Sequence, residues 1–334
     1  MTQPTIICLT PVRNEAWILD RFLQASSLWA DYIIIADQMS TDGSQEIAKK
    51  YKKVILIDNP SETFNEPERK LLLINEARKI EGPRLLIALD ADEIFSPEIF
   101  HSKEWNRMLE SKPGTIIQFR WANLMPEFKK YWSSEFIPFA YMDNGATHDQ
   151  KSKIHTARIP VPKNAPILKI QEIMIMHFQY THWKRMQSKH RWYQCYEKIT
   201  YPEKSALDIF RMYHHMYSTN KELIKPLPKA WLNEYKKKQI DITKSNSGKV
   251  FWWDEKVLNY FDEYGTTHFS KLNLWAVNWK SIAEKLNNKN KLHYNDPRKL
   301  SDKLIQHYLR LTQKKSKKKI IRRIDRKIKS LVQY

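Results

Sequence analysis

The chain has 334 residues, 42% hydrophobic and 12% aromatic, so it can bury a sizeable core, and its two cysteines leave room for neither a disulfide framework nor a Cys-based zinc site. Its net charge of +20 is uneven: Lys314 to Tyr334 holds ten Lys/Arg and one acid and supplies +9, leaving +11 to the other 313 residues. No run approaches the roughly 18 consecutive apolar residues of a membrane span, and the N-terminal stretch "MTQPTIICLTPVRNE" lacks a basic leader, so a cytosolic, reducing-compartment protein is expected.

Four short apolar runs punctuate the first hundred residues: Ile6–Leu9, Ile33–Ala36, Val54–Ile57 and Leu85–Leu89. They are continuous rather than alternating, as parallel strands covered on both faces require. Helical patterns separate them. Ile18, Phe22, Ala25 and Trp29 recur on one face, Ser44–Tyr51 follows the Asp42-Gly43 turn, and Leu71, Ile74 and Ala77 mark a helix after Pro67. The alternation predicts an open α/β sheet whose ligand crevice lies beyond the C-terminal ends of the strands. Each run ends in polar residues, at Thr10–Glu15, Asp37-Gln38, Asp58-Asn59 and Asp90–Glu93. From about 114 to 180, "TIIQFRWANL", "EFIPFAYMD", "KIHTARIP" and "EIMIMHFQY" read as strands of an antiparallel extension. Helices rich in Trp and Tyr then run to about 310, and most of their tryptophans are expected in the core.

Six glycines, none before Gly43 and never two within three positions, exclude a dinucleotide loop and a Walker loop. A nucleotide diphosphate would then need a cation held by carboxylates, and "LDADE" offers Asp90 and Asp92 at a strand end. The plainer reading is an acidic turn into a helix opening at Pro97. His177, after an apolar strand, is either structural or a metal ligand. Lys189 and Arg191 either meet a diphosphate or form the polar face of a helix whose Trp192 and Cys195 point inward.

"VRNEAWILDRFLQASSLWADYIIIADQMSTDGSQEIAKKY" followed by "ERKLLLINEARKIEGPRLLIALDADE" resembles the N-terminal half of family-2-type glycosyltransferases of the GT-A fold, over roughly residues 5 to 100. The resemblance implies an open, mostly parallel sheet with an antiparallel extension and a helical C-terminal region. The chain is expected to divide into a nucleotide-sugar-binding half (1–100), an acceptor-binding half (101–215), a Trp-rich helical region (216–298) and a basic amphipathic tail (299–334). It implies a nucleotide-sugar donor, UDP-sugar favoured, and Mn²⁺ or Mg²⁺. Position by position, Pro11 and Glu15 would contact the nucleoside and Asp37 and Gln38 the base. Arg69 would lie near the donor and Asp90 near the ribose, with Asp92 and His177 on the metal. Gln38 stands where the family usually has Asp, but its carbonyl can still accept a base N–H. Related enzymes carry a His-Glu pair where this chain reads Ile154-His155-Thr156. The catalytic base therefore falls to Asp149, Asp143 or Glu172, with Asp149 first.

In the tail, Ile320, Ile321, Ile324, Ile328, Leu331 and Val332 form one apolar stripe among basic residues. That pattern fits an interfacial helix on anionic lipid at the inner face of the cell membrane, or a helix packed on its own protein. An inverting, metal-dependent transferase acting on a glycan or lipid-linked acceptor in cell-envelope polysaccharide synthesis is expected. The rivals are a sugar nucleotidyltransferase and a basic nucleic-acid-binding protein. Against the second, the proposed crevice is acidic and the basic residues concentrate in the tail, so no nucleic-acid partner is expected.

Overall fold

In the computed structural model, strands β1 (Thr5–Val12), β2 (Tyr32–Asp37), β3 (Val54–Asp58) and β4 (Arg84–Ala88) run parallel. The structure describes residues 3–148, 152–245, 251–287, 294–332 and 334. Register sets Val12 beside Asp37, Asp37 beside Asp58, and Leu9 beside Ala88. The strand ends thus lie along one edge, as the sequence implied. Consecutive residues of β1 face opposite sides: Ile6 and Cys8 pack with Phe22 and Leu23, whereas Ile7 and Leu9 pack with Leu73, Ile74 and Ala77. Burial on both faces explains the unbroken apolar runs.

The intervening helices follow local signals. Helix α1 (Leu19–Ser26) buries Phe22 and Ala25. Gly43, at φ +92, supplies the left-handed residue before α2 (Ser44–Ala48), where a side chain would be strained. Asn65 caps α3 (Glu66–Ala77) by accepting from the Glu68 amide, with Pro67 in the first turn. After β4 the chain turns through Asp90–Asp92 into the short β5 (Glu93–Phe95), and α4 (Lys103–Leu109) follows. Strands β6 (Ile116–Leu124), β7 (Lys130–Met142) and β8 (Ile167–His177) complete a mixed sheet of order β3-β2-β1-β4-β7-β6-β8-β5. β7 is antiparallel to β4 and β6, and β5 to β8, whereas β6 and β8 are parallel.

One expected strand is absent. Residues 153–160 form an irregular run of bends, with His155 at φ +57 and prolines at 160 and 162. Side chains satisfy this segment in place of a ladder: Glu66 accepts from the Thr156 amide at 3.0 Å, and Lys70 donates to the Thr156 carbonyl at 2.9 Å.

The chain forms two compact units, and the division differs from the expected one. The first is Met1–Thr181 with Lys225–Ser247, so α7 (Lys229–Lys237) belongs with the sheet, where Tyr235 donates to the Phe95 carbonyl at 2.7 Å. The second is His182–Ile224 with Gly248–Tyr334. It contains α5 (Trp183–Thr200), α6 (Ala206–Tyr213), α8 (Trp252–Tyr264), α9 (Trp279–Lys285), α10 (Leu300–Thr312) and α11 (Lys319–Val332). Trp192, Trp253 and Trp279 are buried there, as expected of a core role, and Cys195 points inward.

The tail's stripe is divided. On α11, Ile321 is buried with half-buried Ile324 and Ile328, while Ile320 and Leu331 are 60% and 80% exposed. Asp325 lies beside Ile324 and is held by Arg211 of α6, Oδ2 to Nε at 3.1 Å and Oδ1 to Nη2 at 3.0 Å. The helix therefore packs on its own unit through a buried ion pair. Breaking such a pair strands the partner charge, so Asp325→Asn should cost about 3 kcal/mol, measured by urea unfolding of the full chain. Unchanged stability would mean that α11 is not docked.

Candidate active site

The turn after β4 concentrates Asp90, Asp92 and Glu93 at the crevice edge. Glu93 is fully buried and opposite His177 in the β5–β8 register. Three neighbouring acids in a low-dielectric setting need an opposing charge, and Arg158 supplies it. Its Nη1 lies 2.7 Å from Glu93 Oε2, and its Nη2 lies 2.9 Å from Glu93 Oε1 and 2.8 Å from Asp90 Oδ2. The Asp90 amide donates to Glu93 Oε2 and the Trp121 indole N–H to Glu93 Oε1, both at 2.8 Å. Burial pushes the Glu93 carboxyl up, Arg158 pulls it back down, and Asp90 and Asp92 add to the rise; four donors on its two oxygens hold it as the carboxylate. Arg158 in turn stays charged: the two carboxylates outweigh its own burial and raise it.

Asp92 takes no part in that clamp. Its Oδ1 lies 3.8 Å from His177 Nε2, and both side chains are nearly buried. His177 Nδ1 lies 3.0 Å from Asn123 Oδ1, an atom that can only accept, so the ring carries its proton on Nδ1 and turns Nε2 toward Asp92. Trp121 stacks on His177 with centroids 4.9 Å apart and also lies 5.5 Å from the Arg158 guanidinium. One indole thus orients both halves of the site.

Asp37 and Gln38 end β2. Asp37 Oδ2 accepts from the Ser40 amide at 2.9 Å and from Gln45 Nε2 at 2.7 Å, which holds the Ser40–Gly43 loop. Gln38 Nε2 donates to the carbonyls of Ser61 and Thr63 at 2.7 and 2.9 Å. The second oxygens, Asp37 Oδ1 and Gln38 Oε1, are buried and have no hydrogen-bond partner among the described residues. Pro11 and Asp90 line a small cavity with Arg158 and Lys70, of about 10 Å³, room for roughly one water. Lys70 is fixed by Glu66 Oε2 at 2.9 Å. Glu15 accepts from the Trp17 indole at 2.6 Å, and Arg69 lies over the Phe64 ring at 4.9 Å.

The proposed bases fare differently. Asp143 is fully buried between Arg78, at 2.8 Å, and Arg84, at 3.2 Å. Arg84 opens β4, so Asp143 sits at the end opposite Asp90, and its arginines hold it below the usual carboxylate range despite burial. It is a structural anion, not a base in the crevice. Glu172 is exposed and accepts from Ser102 at 2.5 Å, five residues before His177 on β8, roughly 17 Å at strand rise. It too lies away from the site. Asp149 lies outside the described residues. In the helical unit, Arg191 pairs with Asp254 at 2.7 Å and Lys189 lies near the Tyr193 and Trp253 rings, the helix-face reading.

Residues 8–169 match the family model Glycosyl transferase family 2. This segment is a family 2 glycosyltransferase domain. Its mixed, mostly parallel sheet with antiparallel pairs, followed by helices, is consistent with a GT-A α/β fold. Solved structures that resemble it include glucosyl-3-phosphoglycerate synthase from Mycobacterium tuberculosis with Mn²⁺, UDP and phosphoglyceric acid, at 17% identity and TM-score 0.28, covering 35% of this chain and 43% of that one. Mannosyl-3-phosphoglycerate synthase from Rubrobacter xylanophilus matches at 18% identity and TM-score 0.28, covering 37% and 41%. HddC from Yersinia pseudotuberculosis matches at 10% and TM-score 0.32, covering 53% and 94%. This chain spans less than half the length of the two synthases. No curated protein matches significantly.

Sequence reasoning missed Arg158, Asn123 and Trp121. The only signal for Arg158 was electrostatic: acids crowded at a buried strand end demand a cation, and the residues alone do not say which. Arg158→Met should strand Glu93 and cost about 3–5 kcal/mol, whereas adding Glu93→Leu should recover much of that loss. Thermal and urea unfolding of both variants checks this, and a double variant no more stable than the single one would deny the clamp.

Proposed function

We propose that the enzyme transfers a sugar from a nucleotide-sugar donor, a UDP-sugar by preference, to a glycan or lipid-linked acceptor. Transfer depends on a divalent metal and proceeds with inversion. The observation that carries this reading is the facing pair Asp92 and His177. At 3.8 Å their Oδ1 and Nε2 are too far apart for a hydrogen bond, yet one ion about 2.0–2.2 Å from each could touch both. Asn123 provides the outer support that metal-bound histidines use. Among the described residues no group of three or more His, Cys, Asp or Glu could hold an ion, so the other positions fall to donor oxygens and water. Such a site suits Mn²⁺ or Mg²⁺, which keep several non-protein ligands.

Once bound, the ion would neutralise charge developing on the leaving diphosphate. The chain's own residues do the rest. Asp37 Oδ1 and Gln38 Oε1 are acceptors of the kind a uracil N–H requires, at the end of β2, two strands from β4, whose end leads to Asp92. Arg158 holds Asp90 toward the Pro11 cavity, where it would meet the ribose. An acceptor hydroxyl attacks the anomeric carbon from the face opposite the diphosphate and gives its proton to a carboxylate. Asp92→Asn should remove Mn²⁺-dependent donor turnover, a loss of at least about 10²-fold, while the melting transition stays in place. Full turnover in excess chelator, or an unaffected Asp92→Asn, would overturn the reading.

The membrane part of the proposal rests on the outward face of the tail. Among the described residues no helix is long and apolar enough to cross a membrane. Leu300, Leu304 and Leu311 of α10 are 73%, 62% and 69% exposed, and Ile320 and Leu331 of α11 face outward with Arg322, Arg326 and Lys327. Apolar side chains rimmed by cations suit an anionic leaflet, here the cytoplasmic face of a membrane where an envelope glycan is built. Each cation near such a surface contributes about 1 kcal/mol. Joint replacement of Arg322, Arg326 and Lys327 by Gln should therefore weaken binding to phosphatidylglycerol vesicles by roughly 100-fold, with unchanged melting and unchanged turnover on a soluble acceptor. Undiminished binding would place the membrane contact elsewhere.

A further inference from the structure

The start of α3 holds the 153–160 segment through a closed ring of polar contacts. Lys70 Nζ donates to Glu66 Oε2 at 2.9 Å, to the Thr156 carbonyl at 2.9 Å and to Thr156 Oγ1 at 2.8 Å. An ammonium has three hydrogens, and these three acceptors use them all. The Thr156 hydroxyl passes its own hydrogen to Glu66 Oε2 at 3.2 Å, and the Thr156 amide donates to the same oxygen at 3.0 Å. The Glu66 amide in turn donates to the Lys153 carbonyl at 3.1 Å. Ile159 is fully buried in the core cluster of Leu73, Ile74 and Ala77, so the segment is fixed to α3 on both sides of Arg158.

Arg158 stands between those two anchors. Its fork reaches Glu93, whose side chain is fully buried, and Asp90, whose side chain is 42% exposed. A guanidinium bound to an exposed carboxylate sets where that carboxylate points without covering it. Lys70 and Arg158 also line the cavity of Pro11 and Asp90 together. With its three hydrogens spent on the ring, Lys70 holds the segment and is not itself a ligand contact. We propose that Glu66 and Lys70 are positioning residues for the ribose of the donor: through Thr156 they set Arg158, and through Arg158 they aim Asp90. The proposal rests on the reading that Asp90 meets the ribose. The base is served by another route, because the carbonyls of Ser61 and Thr63, ahead of α3 and outside the ring, fix Gln38. Loss of the ring should therefore loosen ribose recognition and spare base recognition, a separation that general destabilisation would not produce.

The test titrates UDP, its 2′-deoxy and 3′-deoxy forms, and CDP into the full-length enzyme with Mn²⁺ at saturation. A hydrogen bond to an ionised carboxylate is worth about tenfold or more in affinity. The wild-type enzyme should thus bind UDP about tenfold more tightly than at least one deoxy form. Joint replacement Glu66→Gln with Lys70→Met leaves no stranded charge, and it should reduce that preference by about tenfold, to near unity. The ratio of UDP to CDP affinity should not change. Thr156→Val opens the ring at the hydroxyl alone and keeps every charge in place. It should give a smaller loss of the same preference in a protein that melts as the wild type does. A wild-type enzyme indifferent to both deoxy forms would overturn the Asp90 reading, and this inference with it. Wild-type discrimination that folded variants retain in full would overturn the inference alone. A parallel loss of the UDP-to-CDP ratio would also overturn it, because the ring would then support the whole site rather than the ribose contact.

Discussion

Arg158 lies between Glu93 and Asp90, and the shape of the crevice depends on that contact. Three carboxylates within four residues would repel one another at the rim of a buried sheet. One guanidinium, in a loop the sheet does not contain, neutralises two of them with its planar fork. The geometry is demanding, because Glu93 is fully buried and each of its oxygens accepts two donors. A lysine at 158 would bring the charge without the fork.

The clamp divides the labour among the acids. Asp90 and Glu93 are occupied with Arg158, which leaves Asp92 facing His177. Trp121 touches both arrangements, bonding Glu93 through its indole N–H and stacking on His177. A disturbance on the arginine side would therefore be felt by the imidazole. The β5–β8 pairing that sets Glu93 beside His177 makes the same link through the backbone.

The C-terminal helices show a second division of one surface between folding and other work. Asp325, the single acid between Lys314 and Tyr334, is buried against Arg211 and Tyr308, so it anchors α11. Most of the surrounding cations remain exposed. An isolated helix with this much like charge would repel itself, and one buried ion pair with three isoleucines holds it in place.

Much of the sheet was legible because its signals are local. Runs such as Ile33–Ala36 can be buried only as strands covered on both faces, and Asp42-Gly43 and Pro67 mark a turn and a helix start through their own backbone preferences. The acidic strand end, the glycine scarcity and the order of the polar ends also stand in the linear chain. Residues 153–160 were misread for the opposite reason. Their alternation looks like a strand, but Glu66 and Lys70, more than eighty residues away, bind Thr156 and replace the ladder. Asp143 looked like a base until its arginines, at 78 and 84, appeared on either side of it. The sequence by itself determined which segments become buried strands and where their polar ends fall, because burial pattern and turn chemistry act over a few residues. Only the tertiary structure decided which charge meets which, because Coulomb forces and hydrogen bonds act between groups that chain distance does not predict.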